Sequence, residues 1–143
     1  MKKSIGIVLA IVAAVFIAAC GSKTESGAKL PTGKTIKAIP LGSLTATLSN
    51  DSGQLKQGNQ QFMVTFTDSS GKPVDVGAVS LNFHMAQMGT MAAMNDQTTF
   101  TTTETPGVYG GKVRIEMAGE WQGQLAYEGP AGSGKTTFTV TAQ

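Results

Sequence analysis

The sequence predicts an all-β sandwich of about seven short antiparallel strands, and three observations predict it. Past residue 36, apolar residues alternate with polar ones at period two along most of the chain, as in strands buried on one face. Clusters of Gly, Pro, Asn, Asp and Ser punctuate that alternation at the roughly 8–12-residue spacing of a sandwich. Helical periodicity is absent, and the frequent β-branched residues favour strands.

In order, Leu44, Ala46 and Leu48 alternate with threonine and serine, and Asn50-Asp51-Ser52-Gly53 ends that strand in a turn. Phe62, Val64 and Phe66 alternate with Met63, Thr65 and Thr67 before the turn Asp68-Ser69-Ser70-Gly71-Lys72-Pro73. A third strand puts Val79, Leu81, Phe83 and Met85 on one face. Thr98 to Glu104 is threonine-rich and suits an edge. Thr105-Pro106-Gly107 turns into Tyr109 to Met117, where Val113, Ile115 and Met117 point one way and Lys112, Arg114 and Glu116 the other. Trp121, Gly123, Leu125 and Tyr127 mark the sixth strand, and Phe138, Val140 and Ala142 the last. The sandwich is of immunoglobulin-like type, with Trp121 as its core tryptophan and Tyr109 making a corner hydrogen bond. There is no internal repeat.

The amino end reads differently. Met1-Lys2-Lys3-Ser4 is a basic head, Ile5 to Ala19 carries no charge, and Ala18-Ala19 precede Cys20-Gly21. A charged head, an apolar run and small residues before a cut make a secretory signal peptide. The run is short for a membrane span, which needs about 20 apolar residues. Its end is similar to the lipobox of bacterial lipoproteins, and that resemblance implies cleavage before Cys20 and lipidation of its thiol, usually with an added acyl chain such as palmitate. The expected organisation is a signal peptide over 1–19, a lipidated Cys20 and polar tether over 20–35, and one domain over 36–143. The protein is then an extracytoplasmic lipoprotein of the cell membrane or outer membrane, its lipid chains holding it to the bilayer. Removing Lys2 and Lys3 from the 11 bases leaves nine against 9 acids. A neutral mature chain gives no reason to expect nucleic acid as a partner. Cys20 is the only cysteine, so no disulfide framework is expected.

The densest chemistry lies in Asn82-Phe83-His84-Met85-Ala86-Gln87-Met88-Gly89-Thr90-Met91-Ala92-Ala93-Met94, which holds the single histidine and four of the 7 methionines at every third position. Thioether sulfur is a soft donor suited to Cu(I), and imidazole binds the same ion. The candidate ligands are His84, Met85, Met88, Met91, Met94 and, further on, Met117. Their competing role is packing, because methionine fills irregular gaps in cores. Met85 and Met117 are in phase with core residues, which favours packing for those two. His84 falls on the face opposite Met85, so both can serve one ion only if the strand bends after Phe83. Spacing by threes suits a loop or one turn of tight helix. Trp121 offers an indole face that can cap a bound cation.

These residues, with Gly107-Val108-Tyr109 and Met117-Ala118-Gly119-Glu120-Trp121, resemble the YtkA-like domain family, which is related to FixH. The resemblance runs from about Leu44 to the carboxyl end. It implies an immunoglobulin-like fold and copper handling beside copper-transfer or respiratory oxidase-assembly partners. Many members place prolines between the methionines, where this sequence has Ala and Thr.

Gly129-Pro130-Ala131-Gly132-Ser133-Gly134-Lys135-Thr136 fits the phosphate-loop pattern G-x-x-x-x-G-K-[ST]. That loop works only when a helix follows it. Here Thr136-Thr137-Phe138-Thr139-Val140-Thr141 follows, so a hairpin is expected and no nucleotide. With one histidine, no available thiol and scattered acids, no catalytic constellation can be assembled, and an enzyme is not expected. The expectation is a lipid-anchored Cu(I)-binding module, with Cu(II) held transiently through His84. Two other readings stand beside it: a metal-free module docking proteins through a Met-rich surface, and a methionine-based oxidant sink.

Overall fold

The computed structural model describes residues 31–143, so the signal peptide, Cys20 and most of the tether lie outside the described residues. Alternation of apolar and polar residues builds nine strands, and among the described residues there is no helix. They are β1 (Lys34–Leu41), β2 (Leu44–Asn50), β3 (Gly58–Thr67), β4 (Ala78–Met85), β5 (Met94–Gln97), β6 (Thr99–Thr102), β7 (Val108–Ile115), β8 (Gly119–Gly129) and β9 (Gly132–Ala142). Two antiparallel sheets result, with strand orders β1-β2-β3-β7-β6 and β5-β4-β8-β9.

The expected sandwich is present with two strands more than the seven read from the sequence. β1 is an edge strand whose alternation is blurred by Pro40 and by a register irregularity between Thr35 and Lys37. An edge tolerates proline because one row of backbone donors is left unused there. Its pairing begins at Lys34, inside the stretch assigned to the tether. β5 is only four residues long, and the chain crosses from one sheet to the other at Thr98 before β6 begins. The threonine-rich segment does form an edge, as β6.

The inward faces meet as the phase predicts. Leu48, Val64, Phe66, Leu81, Phe83 and Leu125 are fully buried, and Trp121 is 1% exposed. Phe83 lies edge-on to Phe62 of the facing sheet and to Phe138 of its own, at centroid separations of 6.2 and 6.4 Å. Such offset arrangements suit the ring quadrupole. The rings fit because glycine stands opposite them in the ladder. Gly123 pairs with Phe138 and Gly111 with Phe62. A Cβ on Gly123 would collide with the Phe138 ring.

Tyr109 makes the corner bond: the Val76 amide donates to its hydroxyl oxygen at 3.3 Å, and its O–H donates to Asp75 Oδ1 at 3.1 Å. Burial, followed by the Asp75 carboxylate, raises its pKa above the ordinary 10.0. The phosphate-loop letters fall on the β8–β9 hairpin, with Gly129 paired to Gly132 around Pro130-Ala131. A strand follows where that motif needs a helix.

The β4–β5 connection, the link between Ile115 and Gly119, and the end of β9 share one end of the sandwich. Lys34, where β1 begins, is at this end too, beside Gly53. The tyrosine corner occupies the other.

Gly123→Ala is expected to lower stability by about 1–3 kcal/mol, because the ring above it must move. Chemical denaturation measures the loss, and trimming the ring in a Gly123→Ala/Phe138→Leu double variant should cost less than the two single losses added. Tyr109 binds its proton more tightly folded than unfolded, so stability should decline as pH rises beyond 10. In Tyr109→Phe that alkaline decline should be shallower, beneath an overall loss of about 1–3 kcal/mol from the unpaired groups left behind.

Candidate metal centre

The methionine spacing resolves into a β-hairpin. β4 and β5 pair Asn82 with Gln97, Phe83 with Asp96, His84 with Asn95, and Met85 with Met94. The ladder opens beyond Met85 and closes again at the tip, where Met88 and Met91 exchange backbone hydrogen bonds of 3.2 and 2.9 Å. Gly89 has φ of 57°, and among the described residues only glycines have positive φ. Positive φ at the first of two central positions alone is the signature of a type II′ turn, which closes hairpins. Two residues that exchange both bonds project their side chains to one side, with Cα atoms about 5.5 Å apart. Thus a spacing of three brings Met88 and Met91 together across a turn, in place of the helical turn or free loop the sequence suggested.

The six candidate ligands divide by burial. β4 stays regular through Met85, without the bend that would let His84 and Met85 share an ion. Met85 is 3% exposed, on the core face with Leu81 and Phe83. Met94 and Met117 are half-buried and pack against the same core. Met88 and Met91 are 54% and 43% exposed, the large apolar side chains most open to solvent among the described residues. His84 is half-buried on the outer face of its sheet. Packing therefore occupies Met85, Met94 and Met117, whereas His84, Met88 and Met91 are left available.

The Met117–Trp121 segment links the two groups. Trp121 Nε1 donates to the Met117 carbonyl at 3.1 Å, which fixes the turn into β8. Gly119 leaves room for Met85, whose Cε would stand 3.1 Å from a Cβ added there. Trp121 is buried in the core, as expected of the sandwich tryptophan. Glu120 and Gln122, flanking it in sequence, are exposed on the opposite face.

That outer face carries a cleft of about 420 Å³ lined by His84, Ala86, Met88, Glu120, Gln122 and Thr139, together with the buried Met85 and Trp121. His84 Nδ1 lies 2.9 Å from Asn95 Oδ1, which also accepts from Asn82 Nδ2 at 3.2 Å. With the proton on Nδ1 donated to Asn95, Nε2 keeps a lone pair for an ion, the usual arrangement of a ligating histidine. Asn95 and Glu120 escaped the sequence reading. Asn95 sits as far after the Gly89-Thr90 turn as His84 sits before it, and Glu120 alternates with the core tryptophan. Those two regularities become signals once the turn and the phase of β8 are known. Farther along the same face, a groove of about 620 Å³ is lined by Ser80, Asn82, Gln97, Gln124, Lys135 and Thr137 among others, with no imidazole or thioether.

Among the described residues, no three of His, Cys, Asp and Glu come together as a metal-binding group. Two solvent-exposed thioethers paired across the turn and a nearby imidazole are donor types that suit a soft monovalent ion such as Cu(I).

A two-sheet sandwich with a Met/His hairpin at one end defines the class of domain. The YtkA-like family model matches residues 41–126, and the chain belongs to that family. The match spans all six candidate ligands. No curated protein and no solved structure matched the chain.

Gly89→Ala forces an L side chain into the left-handed region, at a cost of about 1–2 kcal/mol. Since nothing packs within 4 Å of that position, the strain should loosen the tip alone. Amide exchange should quicken at Met88 and Met91 while the core strands keep their protection.

Proposed function

We propose that this protein is a lipid-anchored extracytoplasmic copper-binding module that holds Cu(I) at the Met88–Met91 tip with His84, for transfer, buffering or oxidase assembly. The observation that carries the reading is the exposed methionine pair: two large apolar side chains face solvent together, which packing does not explain. His84 Nε2, oriented through Asn95, supports it with a nitrogen donor on the adjoining face. The anchor and the location rest on the Cys20 lipobox resemblance. In this reading the protein binds and releases its ion without catalysing a reaction.

Competition of the purified full chain against a Cu(I) chelator tests the proposal. Met88→Leu/Met91→Leu should weaken Cu(I) retention by at least about tenfold, the scale on which metal-site substitutions act. Met85→Leu should leave retention unchanged while lowering stability by less than about 1.5 kcal/mol, as a core swap of similar volume does. Acid should weaken only the share contributed by His84, because a thioether carries no proton to displace. Equally weak binding by the wild type and the tip variant would end the Cu(I) reading. The exposed thioethers would then favour the second one, a pliable tip that docks another protein without metal.

A further inference from the structure

We propose that the cleft beside the tip holds a second ligand set, in which the Glu120 carboxylate and His84 Nε2 take Cu(II), while Met88 and Met91 with the same imidazole take Cu(I). This deepens the reading above and rests on it for the soft site. The geometry begins with the register between β4 and β8. Gln122 stands directly opposite His84. Glu120, two residues along β8 from Gln122, shares its outward phase and stands diagonal to His84. Side chains in such a diagonal relation have backbone positions about 7–8 Å apart, within reach of a long side chain. Ala86 is small, and His84, Met88 and Glu120 all line the resulting cleft.

Chemistry separates the two oxidation states. Cu(II) prefers nitrogen and oxygen donors in a tetragonal arrangement, whereas Cu(I) prefers sulfur. Glu120 is the only acid in the lining, which contains no Lys or Arg to neutralise it. Gln122 and Thr139 add neutral oxygens on the same face. The imidazole is common to both sets: Glu120 and Met88 line its cleft, and Met91 is paired to Met88 across the turn.

The test uses the full chain in detergent with copper(II) sulfate, followed by electron paramagnetic resonance and by competition with a Cu(II) chelator. Parallel Cu(I) competition is run on the same proteins. Glu120 is exposed, so Glu120→Gln leaves the core intact. Glu120→Gln should lose at least about tenfold in Cu(II) affinity and change the resonance spectrum, with Cu(I) affinity unmoved. Met88→Leu/Met91→Leu should do the reverse. Unchanged Cu(II) affinity and spectrum in Glu120→Gln would overturn the proposal, and so would an equal loss of both oxidation states. If the wild type binds Cu(I) weakly but Glu120→Gln still selectively loses Cu(II), the Cu(I) reading falls and the Glu120 assignment stands.

Discussion

The pairing of β4 on both sides governs what this sandwich can do at its methionine-rich end. β8 holds one edge of β4 as far as His84, and β5 holds the other through Met85. A strand held in this way cannot change phase locally, since a one-residue slip exchanges its two faces. Phe83, buried between Phe62 and Phe138, fixes which face goes inward. His84 must then face outward and Met85 inward, so the availability of the imidazole and the loss of the neighbouring thioether have the same cause.

Beyond Met85 the constraint relaxes, and the turn takes over. The Gly89-Thr90 turn restores pairing at Met88 and Met91, far enough from the core for both side chains to remain solvated. The equal spacing of four methionines thus conceals two unlike pairs. Met85 and Met94 extend the packed interior at the mouth of the hairpin, and Met88 and Met91 crown its tip. The Met117–Trp121 segment steadies the inner pair, through the space left by Gly119 and the carbonyl that receives the indole N–H.

Much of this was legible in the residues. The inward phases of β3, β4, β7, β8 and β9 follow from alternation alone, and Tyr109 and Trp121 take the places their types suggested. β1 was hidden because Pro40 and a shifted register blur its pattern. β5 was hidden because four residues cannot establish a period and two of them, Met94 and Asp96, do not look like a matching inward pair. The candidate site was legible in composition but not in grouping. Methionine serves equally as core filler and as ligand, so only the position of each one relative to the turn separates Met88 and Met91 from Met85, Met94 and Met117. Asn95 and Glu120 could be found only by counting across strands, which requires the turn and the register first.

The polypeptide joins the sandwich at Lys34, on the end that carries the methionine tip. For a domain leashed through its amino end, as proposed, this sets a direction. Under that proposal the methionine-bearing end would lie on the side where the leash attaches, and the tyrosine corner would look away from it. If copper handover is this domain's role, as proposed, it would favour a protein seated in that bilayer over one diffusing on the far side, with the leash acting as a local-concentration device.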